Sequence, residues 1–256
     1  MELLTVILIA LIGVISPVGW VGDRLTEDTL RRQLESADDI DVRIDNAPNY
    51  RLVQGRVQRV RVAGEGLVPL EGVRIARLNL EAEGIALDPS QLRNGAIELE
   101  SPLEVAAQVV LTEEDLNQAL QSPTVVRFLE AASVRLPGAE SVGIERYEWV
   151  NPQVDLVGGD RLQLRVTLRQ RRNQRRLRIV AESGFALVNR RELQLVQPTI
   201  SIDGQQVPNE LLGALTQRTF DIQNLVGDDF LARILQLEVE DNEMAIAAWV
   251  QIPPDN

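Results

Sequence analysis

Apolar and polar residues alternate along most of the chain that follows position 40. The segment IDVRI places Ile40, Val42 and Ile44 on one side, and LEVAAQVVL continues the pattern from Leu103 to Leu111. A period of two is the side-chain period of a β-strand, so each such segment predicts a strand with one apolar face. Strands of this kind are typical of antiparallel sheets with one dry and one wet side.

Further alternating segments predict strands in both parts of the chain. They are expected at Val60–Val62, Val73–Ala82, Val142–Val150, Leu162–Leu168, Leu177–Leu187 and Leu193–Ile202, with a tight turn at Asp203-Gly204 and a last hairpin that turns near Asp241-Asn242. A change of parity between Ile75 and Leu78 predicts a β-bulge.

Helical segments follow the strands in each half. LTEEDLNQAL begins with Thr112 as the N-cap and carries three acids in its first turn, where they favour the positive end of the helix dipole. SPTVVRFLEAA continues with Pro123 in its first turn, and PNELLGALTQRTF and GDDFLARILQ are the predicted helices of the second half. Strands before helices predict an α+β fold with antiparallel sheets. We expect one folded domain, residues 23–256, with two similar halves at about 38–135 and 140–252.

An apolar run without charge opens the chain, from Leu3 to Gly22. Its 20 residues, at about 1.5 Å each, just span the hydrocarbon core of a bilayer. The run lacks a basic n-region and a small-x-small cleavage site, so residues 1–22 are predicted as an uncleaved membrane anchor in preference to a cleaved signal peptide. A buried apolar helix is the remaining alternative, because Gly13, Pro17 and Gly19 interrupt the span.

Three residue types that carry much of enzyme chemistry are missing. The sequence has no His, no Cys and no Lys, since every basic residue is Arg. Nucleophile systems that need an imidazole or a thiol are therefore excluded, as are lysine P-loops and Schiff bases. Carboxylate chemistry remains, but the acid pairs lie at predicted helix starts and on exposed strand faces. We expect no enzymatic activity, no metal site and no cofactor.

Positive charge is concentrated in one predicted hairpin. The chain has a formal net charge of -12, yet eight of its 26 basic residues lie between positions 161 and 178, a window without any acid. Alternation in RLQLRVTLR directs the arginines to the polar face, and the turn is expected near Asn173. The eight residues are Arg161, Arg165, Arg169, Arg171, Arg172, Arg175, Arg176 and Arg178.

Two interpretations of this hairpin stay open. The arginines form a solvated face paired with acids on neighbouring strands, or they contact an anionic membrane or head group, because guanidinium donors match phosphate oxygens. Nucleic acid is not expected as a partner, since the rest of the chain is strongly acidic and the hairpin has no aromatic residue for stacking.

Several short segments carry a resemblance to a known family. They are SPVGWVGDRL (16–25), VRIDNAPNYRLVQGRVQRVRVAGEGL (42–67), LTEEDLNQAL (111–120) and PTISIDGQQVP (198–208), with GFALVNRRELQL between the last two. In their order and spacing they resemble the LmeA-like phospholipid-binding family. The resemblance implies a non-enzymatic, extracytoplasmic domain of the cell envelope that binds phospholipid in a groove. It also implies an architecture similar to tubular lipid-binding proteins, with antiparallel sheets curled around helices.

The predicted lipid cavity lies along the apolar faces of the helical segments. Its expected lining residues are Leu116, Leu120, Leu211, Leu215, Leu231 and Ile234. The alternative is a structural or interaction module with a filled core, whose arginine hairpin docks an acidic partner protein that the sequence does not identify.

Overall fold

The computed structural model describes residues 34–45, 55–93, 98–123, 125–127, 147–172, 174–208, 210, 212, 219–221 and 231–254. The predicted anchor, residues 1–22, lies outside these ranges. Most residues of the helical segments predicted to begin near Pro123 and Pro208 also lie outside these ranges. Residues 125–127 are helical as expected. Within the described ranges, no helix is long and apolar enough to cross a membrane.

Strands make up most of the described chain, together with two short helices and a few further helical residues. The strands are β1 (Asp39–Asp45), β2 (Arg56–Leu70), β3 (Val73–Ala86), β4 (Leu103–Thr112), β5 (Tyr147–Gly158), β6 (Arg161–Gln170), β7 (Arg176–Val188), β8 (Glu192–Ile202), β9 (Gln205–Gln206), β10 (Thr219–Asp221), β11 (Leu231–Glu240) and β12 (Glu243–Ile252). The helices are α1 (Pro89–Arg93) and α2 (Glu113–Ala119).

The strands form two six-stranded sheets. The first has the order β1-β2-β3-β4-β12-β11, and the second has the order β10-β8-β7-β6-β5 with β9 paired to β8. Neighbouring strands whose register is defined, such as β2 with β3 and β6 with β7, are antiparallel. The prediction of antiparallel sheets is confirmed, while the described residues contain less helix than the sequence suggested.

The chain divides into two compact units that are discontinuous in sequence. The first comprises residues 1–110, 221–236 and 245–256, and the second comprises residues 111–220 and 237–244. The C-terminal strands contribute to both units. The two continuous halves expected from the sequence stay a prediction. The similarity of the two halves stays a prediction.

The core of the first unit follows the alternation seen in the sequence. In β2 and β3, the buried residues Val60 and Val62 lie opposite Ala82 and Leu80. The other face of these strands carries ion pairs, such as Arg61 with Asp45 of β1 at 2.6 Å. A period-two pattern therefore gives one dry and one charged face here, as expected.

No register shift lies between Ile75 and Leu78, where a bulge was predicted. Pairing of β2 with β3 stays regular past Ile75, and the register shifts between Leu67 and Leu70 of β2. Both strands change parity together near Gly66, whose positive φ of 59° turns the strand locally.

Two helix predictions at the C-terminal side are wrong at their ends, although residues 210 and 212 are helical as predicted. Residues 219–221 form strand β10, and residues 231–236, predicted as the end of a helix, belong to strand β11. Leu, Ala and Arg favour helices intrinsically, but β11 takes an edge position beside β12 in the first sheet. Tertiary pairing overrides local propensity at this position.

Strand β5 continues further than the sequence predicted. It was expected to end at Val150, yet it extends to Gly158 across Asn151 and Pro152. The register with β6 shifts between Val150 and Gln153, and Asn151 has a positive φ of 48°. A bulge tolerates a proline that a regular central strand would not accept.

Alanine substitution at two glycines distinguishes the cost of backbone strain from the cost of a steric clash. Gly55 and Gly84 both have a positive φ, but a Cβ at Gly55 would lie 2.6 Å from the Leu87 carbonyl oxygen, whereas one at Gly84 meets no atom within 4 Å. Alanine at either site costs about 1–2 kcal/mol for the left-handed backbone. We expect Gly55→Ala to lower the free energy of unfolding by at least about 1 kcal/mol more than Gly84→Ala in urea denaturation. Equal losses would contradict this packing.

Candidate functional site: helix α2, the second sheet and the arginine hairpin

Helix α2 begins with a capping box. Thr112 Oγ1 accepts a hydrogen bond from the Asp115 backbone N–H at 3.1 Å, and Asp115 Oδ2 accepts one from the Thr112 N–H at 3.2 Å. Asp115 is only 3% exposed, so its carboxylate lies inside the protein and makes its contacts there. The predicted N-cap is therefore confirmed, and it fixes where the helix begins.

Polar side chains of α2 bind the free edge of strand β5. Asn117 donates to the Val154 carbonyl at 2.8 Å and accepts from the Val154 N–H at 2.8 Å, as a neighbouring strand would. One turn earlier, Glu113 Oε2 accepts from the Leu156 N–H at 2.8 Å. A helix thus satisfies backbone groups that an edge strand would otherwise leave unpaired.

The same contact continues beyond the helix. Gln121 donates to the Pro152 carbonyl at 3.2 Å. The three polar side chains are four residues apart in the helical segment, and their strand partners are two residues apart. Four helical residues rise about 6 Å and two strand residues about 6.6 Å, so the two repeats match. We name this contact, made by Glu113, Asn117 and Gln121 with Pro152, Val154 and Leu156, the α2–β5 edge contact.

The apolar side of the helical segment packs on a small buried cluster. Leu116 and Leu120, both predicted cavity residues, lie against Val154, Leu156 and Val239. Leu162 and Met244 border the same cluster. Leu116 and Leu120 are only partly buried, so each keeps some exposed surface beside it.

The other four predicted cavity residues are placed differently. Leu211 and Leu215 lie outside the described residues. Leu231 and Ile234 are partly buried residues of strand β11 in the first unit, and they do not lie on a helix. The expectation that all six line one lipid cavity stays a prediction.

The second sheet has one apolar face that is incompletely covered. Cross-strand pairs such as Leu168 with Leu177 and Leu164 with Ala181 place their side chains on the same face. The apolar residues of this face on β6, β7 and β8 are Leu162, Leu164, Val166, Leu168, Leu177, Ile179, Ala181, Phe185, Leu187, Leu193, Leu195, Ile200 and Ile202. Of these, only Val166 and Leu168 are fully buried. Ile202 is 37% exposed.

The opposite face of the second sheet carries the arginine hairpin, which forms as predicted. Arginines from the hairpin body pair with acids of the same sheet, namely Arg161 with Glu182 (2.8 Å), Arg165 with Asp155 (2.6 Å) and Arg169 with Glu148. The solvated-face interpretation therefore holds for these three arginines. Both acids of the last two pairs, Asp155 and Glu148, come from β5. Glu148 lies within the predicted strand Val142–Val150, whereas Asp155 lies beyond its predicted end.

Beyond these pairs lies the turn end of the hairpin. Arg171 is exposed and lies 3.9 Å from Glu148, and Arg175 is exposed as well. Arg172, Arg176 and Arg178 are exposed and make no ion pair with any acid in the part of the chain that the structure describes. The eight arginines thus fall into a paired body and a more open tip.

The α2–β5 edge contact was missed by the sequence analysis. Its only signal is the four-residue spacing of Glu113, Asn117 and Gln121, which marks one polar stripe of a helix. Nothing local indicates that a strand edge would meet that stripe. Among the described residues, no group of three or more acidic side chains is arranged to hold a metal ion.

Loss of the Asn117 side chain tests the edge contact. Asn117→Ala removes two hydrogen bonds to Val154 and leaves that peptide unpaired, so the free energy of unfolding should fall by about 1–3 kcal/mol. The matched control is Gln118→Ala on the exposed side of the same helix, which should change the free energy by less than about 0.5 kcal/mol. Similar urea midpoints for both variants would show that the contact contributes little.

Comparison with known proteins identifies the family. The sequence profile described as LmeA-like phospholipid-binding matches residues 14–248, nearly the whole chain. Neither the curated proteins nor the solved structures give a significant match. All the segments that suggested the family, including the one that forms α2, lie within the matched range. The chain belongs to the LmeA-like phospholipid-binding family.

Proposed function

We propose that this protein binds phospholipid without covalent chemistry, holding acyl chains against the apolar face of the second sheet. The observation that carries the proposal is the match of nearly the whole chain to a phospholipid-binding family. The finer description of an acyl groove and an arginine contact is supported by the features below.

The incomplete burial of the second sheet supports an acyl site. Unit one buries a long series of aliphatic side chains, whereas most apolar residues on β6, β7 and β8 keep exposed area. Removing that area from water favours an apolar ligand, at about 0.8 kcal/mol for each buried methylene. Burial of eight methylenes, about half of an acyl chain, would therefore contribute roughly 6 kcal/mol to lipid binding.

Residues of the helical segment 113–120 border this proposed site. Leu116 and Leu120 lie at the end of the sheet where Leu162 packs, and both retain exposed surface. The edge contact fixes the orientation of the helix, so these leucines are held toward the apolar face. The packing of these two leucines supports the proposal that the helical segment lines the site.

The two faces of the second sheet carry two kinds of surface that phospholipids can contact. One face is aliphatic, and the other bears the hairpin arginines, whose guanidinium groups match phosphate oxygens. In this proposal the hairpin meets head groups or an anionic membrane, and residues 1–22 anchor the protein on the extracytoplasmic side. The absence of His, Cys and Lys from the sequence supports a binding role over catalysis.

The rival function is an interaction module with a filled core. Two observations favour it: the packing of Leu116 and Leu120 on a buried cluster, and the ion pairs of the hairpin body. An interaction module would hold no phospholipid. Bound lipid therefore separates the two functions.

Photochemical cross-linking tests the acyl site. A phosphatidylglycerol with a diazirine in its acyl chain is presented to residues 23–256, irradiated, and the modified peptides are identified by mass spectrometry. We expect labels on β6–β8 residues of the apolar face, such as Leu164 and Ile179, and on the peptide containing Leu120. These are the residues that retain apolar area on that face.

A competing unlabelled phosphatidylglycerol serves as the control, since it should suppress specific labelling. Circular dichroism of the same sample verifies that the β-sheets are folded. Labels found only on the charged outer face of β1–β3, or labels that the competitor does not reduce, would argue against an acyl site in the second unit.

A further inference from the structure

The arginines of the hairpin differ in how their charges are balanced. In the body, Arg161, Arg165 and Arg169 each have a carboxylate partner at salt-bridge distance. These three charges are locally neutralised, and a ligand phosphate would have to compete with the existing acids. These three arginines therefore hold the hairpin in position and are less available to bind an anion.

The tip presents a different arrangement. Arg176 and Arg178 are alternate residues of β7, so both side chains lie on the polar face, about 6.6 Å apart along the strand. Arg172 lies in the turn that precedes them. All three are exposed and have no acidic partner among the described residues.

The acid that lies beside this tip is already engaged by the backbone. Asp203 Oδ1 accepts a hydrogen bond from the Arg178 backbone N–H at 2.9 Å, and the Asp203 N–H donates to the Arg178 carbonyl at 2.8 Å. The carboxylate thus joins the β8–β9 turn to β7. It makes no ion pair with the Arg178 guanidinium.

The reverse face of the same tip is apolar. Leu177 and Ile179 alternate with the two arginines and are only partly buried. Ile202, directly opposite Ile179, is 37% exposed. This end of the sheet therefore combines unneutralised cations with aliphatic surface, the combination that favours a lipid–water interface.

We propose that the tip of the hairpin, through Arg172, Arg176 and Arg178, is the docking surface for an anionic phospholipid bilayer. The inference rests on the proposed function and selects which hairpin arginines meet the membrane. Charge complementarity with lipid phosphates identifies the occupant. At physiological ionic strength the Debye length is about 8 Å, so acids further along the chain repel the membrane only weakly.

A bilayer fits this tip better than a nucleic acid or an acidic protein. The hairpin lacks aromatic residues on which bases could stack. An acidic protein would account for the arginines but gives no role to Leu177, Ile179 and Ile202 on the reverse face. Anionic lipid accounts for both faces of the tip.

The experiment compares two double variants with the same change in charge. R176Q/R178Q alters the tip, and R190Q/R191Q alters two exposed arginines in the turn after β7, at the opposite end of that strand. The two sites are roughly 40 Å apart along the strand, so one flat membrane surface at the tip does not include both. The full chain is used for each protein.

Binding is measured by co-sedimentation with two kinds of vesicle. One is phosphatidylcholine alone, and the other is phosphatidylcholine and phosphatidylglycerol in equal parts. The ratio of the two partition coefficients removes any contribution of the N-terminal apolar run, which acts on both. At about 1 kcal/mol for each arginine, R176Q/R178Q should lower this ratio about thirtyfold, whereas R190Q/R191Q should leave it within about twofold.

Two results would overturn the inference: an unchanged ratio in R176Q/R178Q, or an equal fall in both variants, which would indicate a diffuse effect of net charge. The lipid extracted from each purified variant distinguishes this failure from that of the proposed function. Acyl binding predicts the same lipid content in all three proteins, whatever the vesicle ratio shows.

Discussion

The α2–β5 edge contact is the interaction on which the second unit depends. A strand at the edge of a sheet leaves backbone groups that need partners, and β5 is such a strand. Side chains of the helical segment supply those partners at Pro152, Val154 and Leu156 because the helix and strand repeats coincide. The contact also places the apolar side of the helix on the buried cluster around Val239. One short segment therefore closes the edge and orients the leucines proposed to border a lipid.

Bulges in the second sheet keep its apolar face continuous. The bulge at Asn151 lets Trp149 and Val154, which differ in parity, lie on the same face as Leu168 and Leu164. A second irregularity between Glu182 and Gly184 of β7, opposite a positive-φ residue of β8, extends that face toward the far end of the sheet. An extended aliphatic face with incomplete cover is what acyl-chain binding requires, and it lies back to back with the arginine hairpin.

Local signals made much of the fold predictable. The strands that contain Ile40 and Leu103 follow from strict alternation, and the start of α2 follows from Thr112 with Asp115 three residues later. The hairpin turn at Asp203-Gly204 follows from the preference of these residues for positive φ, which both adopt. In each case the determining interactions lie within a few residues.

Features set by distant partners were not predictable. Residues 231–236 carry helix-forming side chains, and only the place of β11 in the first sheet makes them a strand. The partners of the hairpin arginines depend on strand register. Arg161 pairs with Glu182 of β7, and Arg165 pairs with Asp155 of β5, which contains a bulge. The family came from the resemblance and was confirmed by the match, while no single residue motif indicates lipid binding.

The most direct test of the account asks whether the protein carries lipid at all. Residues 23–256 are expressed without the apolar run and purified without detergent, and the folded sample is extracted with organic solvent for mass spectrometry. The account predicts phospholipid in stoichiometric amount relative to protein. An empty extract from a well-folded sample would contradict it and would favour the interaction module with a filled core.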